Sequence, residues 1–156
     1  MIILGIDPGY DRLGIAVLEK KGTGGVVLHS ECFTTKASLP LPNRLALVQE
    51  KIREILEMHT PDVLAIETLY FSSNKKTAIS VAEARGVILA ETAAHKVPIE
   101  EYAPGTIKVA GAGDGRATKE GVMRMIPLLT KLPHHTTSDD ELDAIAVALT
   151  ACAILK

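Results

Sequence analysis

Aromatic side chains are scarce in this chain, at 3% of 156 residues and with no tryptophan. The core must therefore be aliphatic, and the 47% hydrophobic content supplies it. A chain of this length can bury roughly 70% of its unfolded surface, enough for one sizeable core. Cysteine is also rare. Cys32 and Cys152 lie in apolar stretches with no partner at metal-ligand spacing, which excludes a disulfide scaffold and predicts buried, reduced thiols. No apolar run reaches the roughly 18 residues of a membrane span, and the opening Met1 to Asp7 is too short and lacks the basic start of a signal peptide. A soluble protein of the cytoplasm is expected. Strong charge of one sign is lacking too: 17 basic and 19 acidic residues leave a formal charge of −2. Nothing global attracts a polyanion, so any such partner must be held by a local patch.

Charge is nevertheless unevenly placed. Residues 1–74 carry 7 basic and 9 acidic side chains, residues 75–131 carry 9 and 6, and residues 132–156 carry 1 and 4. Only the middle segment is net positive, a division that solvated surface alone would also explain.

Ile2 to Ile6 is a nearly continuous apolar run, as a strand buried on both faces requires, and it ends at Asp7 before a Pro8-Gly9 turn. Leu13 to Leu18 and Val26 to Phe33, joined by the glycine-rich Lys20 to Gly25, read as two further strands. Beyond a loop from Lys36 to Pro42, the spacing of Leu45, Val48, Ile52, Ile55 and Leu56 predicts an amphipathic helix. Val63 to Ile66 is a second buried-strand pattern, parallel because it follows a helix, and it ends at Glu67. Lys76 to His95 predicts a helix with Ala78, Ala82, Gly86, Ala90 and Ala94 as a ridge of small residues, expected to pack on the sheet, with a subunit contact as the alternative. Ile99 to Tyr102 is a strand candidate and Pro104 to Val109 a short helix. Gly111 to Gly115 is a glycine-rich loop, and Thr118 to Leu129 and Asp139 to Leu155 are helices. Strands first, then alternation, indicate an α/β single domain with a mixed sheet.

Two apolar strands thus end in an acid, Asp7 and Glu67, and neighbouring strand ends in one sheet would set them side by side. Either one alone is explained by a strand turning polar as it surfaces. A third acidic group is Ser138-Asp139-Asp140-Glu141-Leu142-Asp143. Ser138 and Glu141 have capping-box spacing, and acids in a first turn suit the helix dipole. Asp143 lies beyond that turn, against an apolar stretch, and shares a helical face with Asp140 and Asp139. Carboxylates gathered in one cleft repel unless a cation is present, and hard oxygen donors suit Mg²⁺ or Mn²⁺. Two such ions roughly 4 Å apart can activate a water and stabilise a leaving oxygen in phosphodiester hydrolysis.

The segments Ile3-Leu4-Gly5-Ile6-Asp7-Pro8-Gly9, Ala65-Ile66-Glu67, Glu83-Ala84-Arg85-Gly86-Val87, Lys108 with Gly113-Asp114-Gly115-Arg116-Ala117-Thr118-Lys119, and Asp143-Ala144-Ile145-Ala146-Val147-Ala148 occur in an order and spacing that resembles the RuvC family. Its members are bacterial Holliday-junction resolvases of the RNase H-like nucleases. The likeness spans nearly the whole chain. It implies one RNase H-like domain over residues 1–156, a mixed central sheet flanked by helices, and four metal-binding carboxylates, here Asp7, Glu67, Asp140 and Asp143. These would cut DNA with two Mg²⁺ ions per site, Mn²⁺ being able to substitute. Asp139 stays open as an alternative to Asp140.

The resemblance also implies a lysine that assists at the scissile phosphate, at the place of Lys119. Lys108 and Arg116 match or neighbour DNA-contacting positions, and Lys75 and Lys76 extend that basic strip. An aromatic wedge against unpaired bases at the junction centre aligns with Tyr70, with Phe71 as the near alternative. The Gly113-x-Gly115 pair could admit a phosphate to backbone amides, or mark only a tight turn. Partners implied are four-way junction DNA, a second copy in a homodimer, and the RuvA–RuvB branch-migration complex. The activity implied is resolution of junctions by paired symmetric nicks in recombination and repair.

Two rival readings follow from particular features. RNase H-fold nucleases that process RNA share an Arg-x-Gly-x-Ala pattern, here Arg12-Leu13-Gly14-Ile15-Ala16. A non-catalytic junction-binding protein would keep the fold, but clustered carboxylates without metals would only repel DNA. The five histidines form no convincing site; His134-His135, just before the acidic helix, is the pair placed nearest to one.

Overall fold

Alternation along the first strand sets up the architecture. In β1 (Ile2–Asp7), Leu4 and Ile6 face one side of the sheet, while Ile3 and the bare backbone of Gly5 face the other. Both sides are apolar, so the strand reads as one unbroken hydrophobic run. β2 (Arg12–Lys21) and β4 (Val63–Glu67) repeat the pattern, with Leu13, Ile15, Val17, Leu64 and Ile66 on the side of Leu4, and Ala16, Leu18, Val63 and Ala65 on the side of Ile3. The computed structural model describes residues 1–69, 75–113, 115–132 and 138–156, excluding the side chains of Lys75, Lys76 and Ala112.

The sheet has the order β3-β2-β1-β4-β5, with β3 at Gly24–Thr34 and β5 at Ile99–Tyr102. β1 pairs antiparallel with β2 and parallel with β4, and β4 runs parallel to β5. The mixed sheet expected from the sequence is thus present. The β2–β3 register shifts between Val17 and Leu18, where Leu28 is the extra residue.

On the Leu4 side lie α1 (Leu41–His59) and α2 (Lys75–Ala94), which bury Val48, Ile52, Ile55, Leu56 and Ile88. α1 starts slightly earlier than the sequence suggests, because Pro42 sits in its first turn, where a missing N–H breaks no helical bond. On the Ile3 side lie α3 (Pro104–Ala112), α4 (Lys119–Leu129) and α5 (Asp139–Ile154). α5 is apolar all round from Ala144 to Leu149 and is buried from Ala144 to Cys152, between the sheet and α3 and α4, with the Thr150 hydroxyl donating to the Ala146 carbonyl. Each fully buried large aliphatic side chain here contributes about 1.5–3 kcal/mol.

The second half of the small-residue ridge of α2 faces outward and does not pack on the sheet. Gly86, Ala90 and Ala94 are exposed, and a Cβ at Gly86 would meet nothing within 4 Å. The face that does pack carries Ala84 and Ile88, with Glu91 and Thr92 buried beside them. β-Branched and aliphatic bulk outweighs the regular spacing of small residues in choosing the inward face.

Candidate active site

Parity places the strand-end acids. Asp7 follows Ile3 and Gly5 on the α5 side of β1, and Glu67 follows Val63 and Ala65 on the same side of β4. The strands are parallel neighbours, with Ile6 opposite Ile66. Both carboxylates therefore emerge at the C-terminal ends of adjacent central strands and face α5.

The helix comes close because the sheet beneath it lacks side chains. A Cβ at Gly5 would stand 2.4 Å from the Ala144 carbonyl oxygen and 2.6 Å from Ala148 Cβ. At Gly14, opposite Asp7 in the β1–β2 register, it would stand 2.0 Å from the Asp140 carbonyl oxygen and 3.1 Å from Asp7 Cβ. Only glycine admits the first turn of α5 there. Ser138 caps that turn by accepting from the Glu141 N–H at 3.1 Å. The Glu141 carboxylate is buried, and the Ser30 hydroxyl of β3 donates to it at 2.5 Å. That bond ties the N-terminus of α5 to the sheet.

Asp140 and Asp143 thereby come over the strand ends. Burial, and then the charges of Asp143, Glu67 and Asp140, push the Asp7 carboxyl up from 3.8 to about 7. Burial and Asp143 raise Glu67, against the opposing pull of Lys119 and Lys108. Burial raises Asp143 too, although Lys119 opposes it. Lys119, the first residue of α4, donates to Asp143 Oδ2 at 2.5 Å. Its partial burial disfavours the ammonium, but Asp143, Asp139 and Asp7 outweigh that and raise its pKa. A cleft of about 220 Å³ opens beside this group, lined by Glu67, Lys108, Lys119 and Asp143 over an apolar floor that includes Ile107 and Val122. A wider groove along α1, bordered by Glu50, Arg53, Glu54 and Glu57, lies on the other layer and is an open, charged helix face.

The two acids left open by the sequence behave differently. Asp140 acts on Asp7, and its Oδ2 accepts from Arg12 Nε at 2.6 Å and pairs with Arg12 Nη2 at 2.5 Å. Asp139 is exposed and borders a shallow surface depression with Glu120, Met123 and Arg124. Cys32 is also not the buried thiol expected. It is only partly buried, 3.7 Å from Asp140 Oδ2, while Cys152 is fully buried as expected.

Among the described residues, no three His, Cys, Asp or Glu side chains stand in a ready metal-ligating arrangement. One oxygen each of Asp140 and Asp143 is engaged by Arg12 and Lys119. The donor set still fits a hard divalent cation. It is all oxygen, partly buried, and repulsive enough to lift Asp7 to about 7.

Lys108 lies on α3 at the cleft, and Arg116 is exposed in the connection to α4. Gly113 adopts φ 73° as the left-handed C-cap of α3 and donates to the Val109 carbonyl, which gives this glycine a turn role. Tyr70, Phe71, Asp114, His134 and His135, and the side chains of Lys75 and Lys76, lie outside the described residues.

Sequence reasoning assigns no role to Gly5, Gly14, Arg12 or Arg85. Arg85 donates to the Glu67 backbone carbonyl at 3.2 Å and pairs with Glu101, so it steadies the end of β4. Glycine inside a strand pattern was the one available signal, since it marks close backbone approach.

The family model described as crossover junction endodeoxyribonuclease RuvC matches residues 3–151. A crossover junction endodeoxyribonuclease RuvC from Petrotoga mobilis is 47% identical over 148 residues, covering 95% of this chain and 91% of the relative. One from Moorella thermoacetica is 42% identical over 149 residues, covering 96% and 89%. Thermus thermophilus RuvC in complex with a Holliday junction substrate aligns with a TM-score of 0.89 at 32% identity, covering 96% of this chain and 92% of that one.

Proposed function

The chain belongs to the RuvC family of crossover junction endodeoxyribonucleases, Holliday-junction resolvases of RNase H-like fold, and from this premise we propose that it resolves four-way DNA junctions by paired symmetric nicks made at Asp7, Glu67, Asp140 and Asp143. It is an endonuclease that hydrolyses DNA, and nucleases of this family are metal-dependent. The observation that carries the site assignment is the crowding of carboxylates from two strand ends and one helix, which lifts Asp7 to about 7. Such a group is costly to a fold and useful for holding cations.

We assign Mg²⁺ as the ion, with Mn²⁺ able to replace it, because the donors are hard oxygens. A pair of these ions supplies an activated water and stabilises the leaving oxygen of the phosphodiester. Asp7 and Glu67 hold them from the sheet, and Asp140 and Asp143 from α5. Lys119, anchored on Asp143, neutralises an oxygen of the scissile phosphate. Lys108 and Arg116 track the flanking backbone, with Lys75 and Lys76 extending the strip, and Tyr70 or Phe71 wedges against unpaired bases at the crossover.

A junction is nearly two-fold symmetric, and ligatable products require two nicks in strands of like polarity. A C2 homodimer with two equivalent sites supplies that geometry. We further propose that the single domain of residues 1–156 works in the cytoplasm with the RuvA–RuvB branch-migration complex. Among the described residues no helix is long and apolar enough to cross a membrane.

Incubation with four-way, duplex and RNA substrates, with and without Mg²⁺, tests the proposal. Paired nicks confined to the four-way substrate and dependent on Mg²⁺ are expected. Preferential cleavage of RNA, the activity that Arg12-x-Gly14-x-Ala16 would suggest, would overturn it. A monomer in light scattering that still cuts both strands together would refute the dimer.

A further inference from the structure

Arg12 opens β2, and its guanidinium reaches a side chain 128 positions away in sequence, placing two nitrogens, Nε at 2.6 Å and Nη2 at 2.5 Å, on the single oxygen Oδ2 of Asp140. The Cys32 thiol of β3 approaches the same oxygen at 3.7 Å. Oδ1 has no partner among the described residues. The Asp140 backbone is pinned as well, its carbonyl lying where Gly14 has no side chain. The side chain of Asp139, one residue earlier, has no hydrogen bond or ion pair among the described residues. Two adjacent acids on one helical turn are thus distinguished by a single arginine.

We propose that Arg12 is a positioning residue for metal binding: it locks one oxygen of Asp140 so that the other is presented to an ion shared with Asp7, on which Asp140 acts. The inference rests on the metal-site reading above and assigns the outer partner of one carboxylate. An aspartate at the start of a helix has two side-chain torsions to restrict. A planar fork restricts them better than a flexible ammonium, because it sets direction as well as charge. Partners of this kind orient metal-ligating carboxylates, and their loss typically weakens metal affinity 10–100-fold. The Arg12 side chain is 54% exposed, and an exposed ion pair adds little to global stability. Its main effect therefore falls on the geometry of Asp140.

Mn²⁺ titration of the protein alone, read by the electron paramagnetic resonance of free Mn²⁺, tests this without DNA or turnover. Arg12→Met should bind Mn²⁺ about 10-fold or more weakly than wild type. Arg12→Lys, which keeps the charge but not the fork, should recover only part of the loss. In an Asp140→Asn background, Arg12→Met should add nothing, because it acts through a carboxylate no longer there. Melting temperatures in chelator should stay the same for wild type, Arg12→Met and Arg12→Lys, which a merely structural role would not allow. Equal or tighter Mn²⁺ binding by Arg12→Met would overturn the inference and show that the guanidinium only competes with the ion. Additive losses in the double variant would overturn it too. Absence of Mn²⁺ binding by the wild type would bring down the metal-site reading itself, an outcome distinct from an unaffected Arg12→Met.

Discussion

Asp7→Asn should stabilise the metal-free protein at neutral pH. Burial, followed by Asp143, Glu67 and Asp140, lifts the Asp7 carboxyl from 3.8 to about 7. A carboxyl raised on folding keeps its proton longer in the native state than in the unfolded chain. Its contribution to stability is fully present below the unfolded value and is lost as pH rises through about 7. The displacement is worth about 4 kcal/mol in full, and side-chain relaxation reduces the expected loss to about 2–4 kcal/mol. Asparagine keeps the shape and removes the charge. In chelator, the variant's advantage should be smallest at acid pH and grow to that size by about pH 8. For a chain of this length it corresponds to roughly 5–15 °C in Tm. Thermal melts of both proteins across this pH range isolate the group, because the other titrating residues are common to the two. Saturating Mg²⁺ should offset most of that advantage, adding about 2.7 kcal/mol to the wild type at a hundredfold excess over Kd and little to the variant. Superimposed melts at pH 8 in chelator, or a less stable Asp7→Asn, would refute the argument from repulsion.

In junction assays, Asp7→Asn, Glu67→Gln and Asp143→Asn should each abolish cleavage while binding persists, and Asp140→Asn should be more damaging than Asp139→Asn; the reverse order would exchange those two neighbours. Removing Lys108, Arg116 or Lys119 should lower the salt slope of log K by about 0.9 for each phosphate left unneutralised, and weaken junctions and duplexes alike. Tyr70→Ala should instead cost roughly 1–3 kcal/mol on junctions with little change on duplex or in salt slope. An effect of Phe71→Ala alone would transfer the wedge to Phe71. Gly14→Ala, whose new Cβ would fall 2.0 Å from the Asp140 carbonyl oxygen, should destabilise by at least the roughly 1–3 kcal/mol of overpacking. It should also displace the first turn of α5, so an unchanged Tm and nicking rate would show that the helix approach is not needed.

Local pattern determined the elements of this protein. Ile2 to Ile6 and Val63 to Ile66 are apolar on both parities and end in acids. The α1 spacing of Leu45, Val48, Ile52 and Leu56 has the period of one helical face, and Ala144 to Leu149 is apolar all round. These signals can be read from the chain because alternation and helical period act between residues a few positions apart. Asp7 and Glu67 could be singled out for the same reason, each standing at a strand end, and Asp143 as an acid beyond the first turn of a helix, whereas Asp140 and Lys119 were marked by the likeness to the RuvC family. Tertiary structure decided what they meet. Gly5 and Gly14 let α5 lie on the sheet, so carboxylates distant in sequence act on one another. Arg12 selects Asp140 across 128 positions, and Arg85 steadies Glu67 from another element. The ridge from Ala78 to Ala94 obeys helical spacing yet faces outward in its second half, because Ala84 and Ile88 fill the space against the sheet. Periodicity tells which residues share a face, whereas the side a face turns to, and which charge lies opposite it, depend on the path of the whole chain.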